Sequence, residues 1–141
     1  MKEQNRRSLL KGVSWRCVAT LDTILLAYFF TGNISQAVSI GGLELVTKTA
    51  LFYMHERAWL RVGLGRFVHE GGAREWHSRS LIKAISWRFF GTLDTFLLAL
   101  LVTGELAVSA SIGIAELVTK IALYYAHERV WFRVSWGMRR P

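Results

Sequence analysis

SWRCVATLDTILLAYFFTG, from Ser14 to Gly32, returns as SWRFFGTLDTFLLALLVTG from Ser86 to Gly104. The offset, from Trp15 to Trp87, is 72 residues and needs no gap. The same offset aligns ELVTK at Glu44 with ELVTK at Glu116, and HER at His55 with HER at His127. More than half of the positions from Leu9 to Leu60 are identical in the second copy. An internal duplication of this length is too long for a solenoid unit and suits a two-helix hairpin.

Working outward from the repeat, each copy reads as two helices broken at a turn. The first helices are expected near Leu9–Thr31 and Leu81–Thr103, the second near Ser35–Leu60 and Leu106–Phe132. Thr31-Gly32-Asn33 supplies a glycine for the C-terminal cap, and Asn33 or Ser35 for the next N-cap. Segments such as LDTFLLALLV and IGIAELVTKIALYYA leave almost no polar face, which a soluble four-helix bundle requires. The expected fold is therefore an all-α integral membrane protein with four transmembrane helices, arranged as two tandem, parallel two-helix hairpin repeats. Residues 1–61 form the first membrane hairpin, 62–79 a linker, and 80–141 the second hairpin. The basic segment ahead of the first apolar run is followed by no small-residue cleavage pattern, so that run is expected to stay as a span. Cys17 is the single cysteine, which excludes an internal disulfide.

Charge sets the expected orientation. The chain carries a net charge of +8, and all 18 basic residues except Lys48 and Lys120 lie outside the apolar cores of the spans. They crowd into the two termini and the linker, whereas the two hairpin turns hold only Glu105. This is the layout of a multi-pass protein with both termini and the linker cytoplasmic, rather than of a basic groove for nucleic acid. The expected partners are the lipid bilayer and anionic headgroups at the cytoplasmic face, with a homo-oligomer also open. Trp15, Trp59, Trp87 and Trp131 fall at the cytoplasmic helix ends together with Arg16, Arg88, His55, His127, Arg57 and Arg129. That set is expected to form the interfacial belt, with Arg16 snorkelling to the surface.

Six ionisable residues remain inside the spans: Asp22, Glu44 and Lys48, repeated as Asp94, Glu116 and Lys120. Asp22 stands ten residues before Gly32, and Glu44 ten after Ile34, so both lie about 15 Å from the outer turn, near the bilayer midplane. Lys48 follows Glu44 by one turn on the same face, and its side chain leans back toward the carboxylates. Lys48 is expected to reach Glu44 or Asp22, and Lys120 to reach Glu116 or Asp94. Each central charge costs roughly 2.5–3.5 kcal/mol to insert, so the charges must pair and face inward. Such a cluster is either an ion or proton site or a salt-bridged knot that fixes packing. Ser35 and Ser39, Ala37 and Gly41, and Ser109 and Gly113 follow the small-xxx-small spacing of close helix packing. His55 and His127 are symmetric and offer a haem-ligand alternative, with plain interfacial histidines as the simpler reading. No nucleophile elbow, phosphate loop or metal spacing is present, so no catalysis, cofactor or metal is expected.

Ser86-Trp87-Arg88, Gly91 to Thr95, Glu116, Lys120 and Tyr124 to Trp131 resemble the bacterial family of small membrane proteins called domain of unknown function 2061. The first copy departs at Ala19, which replaces the glycine, and at Phe52-Tyr53-Met54. The resemblance covers most of the chain and implies the membrane class, with no activity attached; the expected location is the bacterial inner membrane. The expected role is structural or accessory; the alternative is a small proton- or cation-coupled transporter or channel using the buried carboxylates. Topology gives the first prediction. Single cysteines introduced at Asn33 and Glu105 will react with an impermeant thiol reagent on intact cells, while the linker stays protected; labelling of the linker would reverse the orientation.

Overall fold

In a computed structural model, residues 2–3, 5–63, 66–69, 72–75, 77–136 and 138–139 are described, with side chains for 6–63 and 78–136. Four helices occur among them: α1 (Asn5–Thr31), α2 (Ile34–Arg61), α3 (His77–Thr103) and α4 (Leu106–Arg133). Each first helix starts one turn earlier than its apolar run suggested; Arg7 and Lys11, and their counterparts Arg79 and Lys83, have acceptors at the end of a helix of the other repeat. Two short antiparallel ladders, Lys2–Glu3 with Met138–Arg139 and Arg66–His69 with Gly72–Glu75, accompany the termini and the linker.

The turns behave as their sequences dictate. Gly32 and Gly104 take φ of 64° and 70°, the left-handed conformation that closes a helix without a Cβ penalty. Asn33 caps α2 by accepting from Gln36 N at 3.1 Å, so Ser35 lies inside the helix. Glu105 occupies the same position before α4 without a side-chain cap bond. Both turns lie at one end of the bundle, the loop end. The termini and the linker lie at the other, the terminal end.

Within each repeat the two helices pack together, and each also packs on a helix of the other repeat: α1 on α4, and α2 on α3. The helices thus close into a ring about a pseudo-two-fold axis that runs along the bundle. Burial is inverted relative to a water-soluble protein. Thr23, Asp22, Glu44, Thr95, Ser109, Glu116 and Lys120 are buried, while Phe29 and Leu101 are each 78% exposed. A soluble bundle would invert this arrangement, so the outer surface is one that lipid covers. Among the described residues three helices, α1, α3 and α4, contain windows long and apolar enough to cross a membrane. Helix α2 has the length but carries Gln36, Gly42 and Thr49 where α4 has Val108, Ile114 and Ile121. It is the fourth span by symmetry and packing, and it depends on its neighbours more than the others do.

A thin apolar layer of Ala27, Ala37, Ile40, Ala99 and Ile112 seals the bundle toward the loop end. Small residues do bring the helices close, but only some of those expected. Ala37, Gly41, Ser109 and Gly113 are buried, whereas Ser35 and Ser39 face outward, with Ser39 bonding the Ser35 carbonyl. A Cβ at Gly41 would collide with Ile24 Cγ1, while one at Gly113 would meet Phe96 Cβ at 3.7 Å, ordinary contact. Gly41→Ala is therefore expected to destabilise the bundle by about 1–3 kcal/mol. Gly113→Ala should be neutral or slightly stabilising through helix propensity. Denaturation in mixed micelles measures the difference, and equal effects would contradict this packing.

Candidate functional site

The TLDT segment of each repeat meets the ELVTK segment of the other. Thr119 Oγ1 donates to Asp22 Oδ2 at 2.8 Å, and Thr47 Oγ1 donates to Asp94 Oδ2 at 2.9 Å. Lys120 Nζ donates to Thr23 Oγ1 at 2.9 Å, and Lys48 Nζ to Thr95 Oγ1 at 2.7 Å. The geometry has a sequence cause. On the first helix, Asp and Thr are adjacent and turn about 100° apart; on the second, Thr and Lys do the same. Two adjacent residues on one helix therefore face two on its neighbour, one hydrogen bond each.

Each lysine pairs with the glutamate of its own helix, as expected, but the aspartate partners differ. Lys48 does reach Glu44, four residues back on its own helix, and it also reaches Glu116 of the other repeat at 3.1 Å. Lys120 pairs with Glu116 at 2.9 Å and with Asp22 at 3.1 Å. The aspartates are thus exchanged. Asp22 serves Lys120, not Lys48, because the bundle seats α1 against α4 across the repeat boundary. Asp94 is held by Thr47. Glu116 Oε1 is the shared acceptor of both lysines. Four acceptors surround Lys120 Nζ, since the Ala19 carbonyl joins at 2.9 Å, and they compete for three protons. Glu44 Oε2 and Glu116 Oε2 are buried and receive no hydrogen bond from a hydroxyl, amide or ammonium group among the described residues, and the two carboxyl groups lie within hydrogen-bond reach of each other.

Of these groups Thr23, Thr95, both glutamates and both lysines line one cavity of about 470 Å³ between the repeats, whereas Asp22, Asp94, Thr47 and Thr119 stand outside its wall. Its wall is built from matched pairs, among them Trp15 with Trp87, Arg16 with Arg88, Glu44 with Glu116, and Lys48 with Lys120. The apolar layer closes it toward the loop end, and its wall continues past Phe52 and Tyr124 to Gly12 near the terminal end. Arg16 and Arg88 thus stand on the cavity wall as well as in the expected belt, and neither forms a hydrogen bond or ion pair among the described residues.

At the terminal end a second set of bonds also crosses the repeats. Ser14 Oγ lies 2.8 Å from His127 Nε2, and Ser86 Oγ 2.8 Å from His55 Nε2. Each serine gives its own proton to a carbonyl of its helix, Lys11 O or Lys83 O, and accepts from Trp131 Nε1 or Trp59 Nε1. The same indole N–H groups also lie 3.1 Å from the imidazole Nε2 atoms, so serine, indole and imidazole share one network in which the tautomer sets the donor, while Nδ1 of both rings is buried without a partner among the described residues. Arg7 donates to the Trp131 carbonyl at 2.6 Å, and Arg79 to the Trp59 carbonyl at 2.7 Å, so each first helix caps the open end of a second helix in the other repeat. Lys11–Glu128 at 2.7 Å and Lys83–Glu56 at 2.8 Å add half-exposed pairs that contribute little.

The tryptophans are half-buried mortar between helices as well as belt residues: Trp15 packs edge-on against Tyr124, and Trp87 against Phe52. Arg57 and Arg129 lie outside the cluster, each stacked on the tyrosine one turn earlier, Tyr53 and Tyr125. Sequence reasoning missed Thr23, Thr47, Thr95, Thr119, Ser14, Ser86, Arg7 and Arg79. Their signal was present, since all eight recur at the repeat offset next to a charged or aromatic motif residue.

A ring of lipid-facing helices around a charged axis defines an integral membrane protein built from two tandem helical hairpins. The family model described as predicted membrane protein (DUF2061) matches residues 9–60 and 81–132, and the chain belongs to that family. No curated protein and no solved structure matches it.

Lys48→Leu should cost about 3–5 kcal/mol, because it strips Glu44 of its ion partner and Glu116 of one of two. Lys48→Leu combined with Glu44→Gln should cost less than the single change. Unfolding of the purified variants in detergent decides this, and a double variant weaker than the single would refute the pairing.

Proposed function

We propose that the protein is a non-enzymatic, multi-pass protein of the bacterial inner membrane with a structural or accessory role. The observation that carries this reading is the exchange of partners across the repeats. Each of the two lysines is bound by groups from both repeats. A polar core so heavily cross-linked favours one packing and offers little slack for alternating access. On this reading the terminal end is cytoplasmic, and the exposed Arg6, Arg61 and Arg133 there meet anionic headgroups.

A second reading has its own observation. Glu44 and Glu116, one from each repeat, stand on the wall of a single cavity with their carboxyl groups within hydrogen-bond reach of each other. This is what a proton- or cation-coupled transporter needs, and Glu44 and Glu116 would be its carriers. Proteoliposomes separate the two. The structural reading expects proton and sodium flux no greater than in protein-free vesicles. Flux that Glu44→Gln abolishes while the protein stays folded would establish the transport reading instead.

A further inference from the structure

Seven of the nine threonines in the chain give their hydroxyl to a carbonyl of their own helix. Thr20 and Thr92 make no hydrogen bond among the described residues, and they are a matched pair at the repeat offset. Both are half-buried and line the cavity between the repeats. One turn before each stands an arginine of the same wall, Arg16 or Arg88, likewise without a hydrogen bond or ion pair among the described residues. The i,i+4 spacing puts hydroxyl and guanidinium on one helix face, with the threonine leaning back toward the turn of its arginine. Helices α1 and α3 lie across the ring from each other, so the two sets of donors enter from opposite sides. Four donor side chains thus share one space, and the protein supplies none of them with an acceptor.

The carboxylates nearby are already committed. Glu44 and Glu116 serve Lys48 and Lys120 and lie within hydrogen-bond reach of each other. Asp22 accepts from Lys120 and Thr119, Asp94 accepts from Thr47, and both aspartates stand outside the wall. Four cationic and two anionic side chains line the cavity, a formal +2. Cations walled off by helices are costly until an anion joins them. We propose that the cavity is an oxyanion site in which Arg16 and Thr20 on one side and Arg88 and Thr92 on the other hold a single phosphate group. A guanidinium gives phosphate two parallel N–H bonds, and a hydroxyl one turn away adds a further donor on the same side. Donors from opposite sides suit the tetrahedral oxygens of phosphate better than the two coplanar oxygens of a carboxylate. Trp15 and Trp87, each next to one of the arginines, give apolar wall to an ester group carried by that phosphate. The volume, about 470 Å³, has room for a phosphate ester as well as for inorganic phosphate. The shared chemistry is a phosphate group, whether free in solution at the terminal end or borne on a phospholipid.

The full chain, purified in maltoside micelles, is titrated with inorganic phosphate and with glycerol phosphate, against sodium chloride at matched ionic strength. Tryptophan fluorescence and thermal unfolding report binding. The expected result is saturable binding of phosphate, roughly tenfold or more tighter than chloride. Arg16→Gln with Arg88→Gln should weaken it by roughly tenfold or more while circular dichroism shows unchanged helix content, and Arg16→Lys with Arg88→Lys should restore only part of the loss. Thr20→Val with Thr92→Val, nearly isosteric, should weaken it by about threefold or more. Native mass spectrometry separates the two sources. A phospholipid that stays with the wild type and leaves the glutamine double variant identifies a lipid phosphate. Saturable binding of the soluble phosphates with no retained lipid identifies a free one. The proposal is overturned if neither soluble phosphate nor phospholipid is held, if chloride matches phosphate, or if the arginine pair or the threonine pair can be replaced without loss.

Discussion

A lysine and a glutamate one turn apart on an otherwise apolar helix must find partners before that helix can rest in lipid. This requirement governs the whole architecture. Lys48 and Glu44 sit on the one helix of the four whose apolar window falls short of a span. Their charges are met by Thr95 and by Glu116, which belong to the other repeat. The equivalent lysine, Lys120, is met by Asp22 and Thr23 of the first repeat. Neither hairpin satisfies its own interior. Two hairpins together do, down to the Glu44 and Glu116 carboxyl groups, which lie within hydrogen-bond reach of each other across the repeat boundary.

The repeats are alike in sequence but not in their bonds. Glu116 Oε1 takes both lysines, while Glu44 takes one. Part of the difference traces to one position. Lys120 donates to the carbonyl of Ala19, whereas Lys48 passes Gly91 with its Cε 3.7 Å from where a Cβ would be. A second part lies at Gly41, where Ile24 crowds the helix, against Gly113, where Phe96 leaves room.

The amino-acid sequence made the fold legible because its evidence was large and redundant. The offset of 72 residues, the caps at Gly32 and Gly104, and the unequal charge at the two bundle ends each pointed to paired hairpins. It also made the buried charges legible, since Asp22, Glu44 and Lys48 interrupt apolar runs at matching depth. Partnership was not legible. Spacing along one helix reveals i,i+4 pairs such as Glu44–Lys48, but which helix lies across the repeat boundary is a tertiary property. Thr47 and Thr119 therefore looked like filler in a span, and Ser14 and Ser86 like helix-end residues. Arg7 and Arg79 looked like positive-inside charge, although each caps a helix in the other repeat. Arg16 was read as snorkelling to the surface, and only the closed ring of helices puts it on a cavity wall.

The central claim is that the two hairpins are held as one body by bonds that cross the repeat boundary rather than by the chain that joins them. Cleavage in the linker tests it most directly. A protease site inserted between residues 63 and 77 allows the folded protein to be cut in maltoside micelles, after which a tag on one half is used for purification. The account predicts that the halves stay together after cutting and separate when Asp22→Leu and Asp94→Leu are added. Halves that part on cleavage alone would show that the linker, and not the charged axis, holds the bundle together.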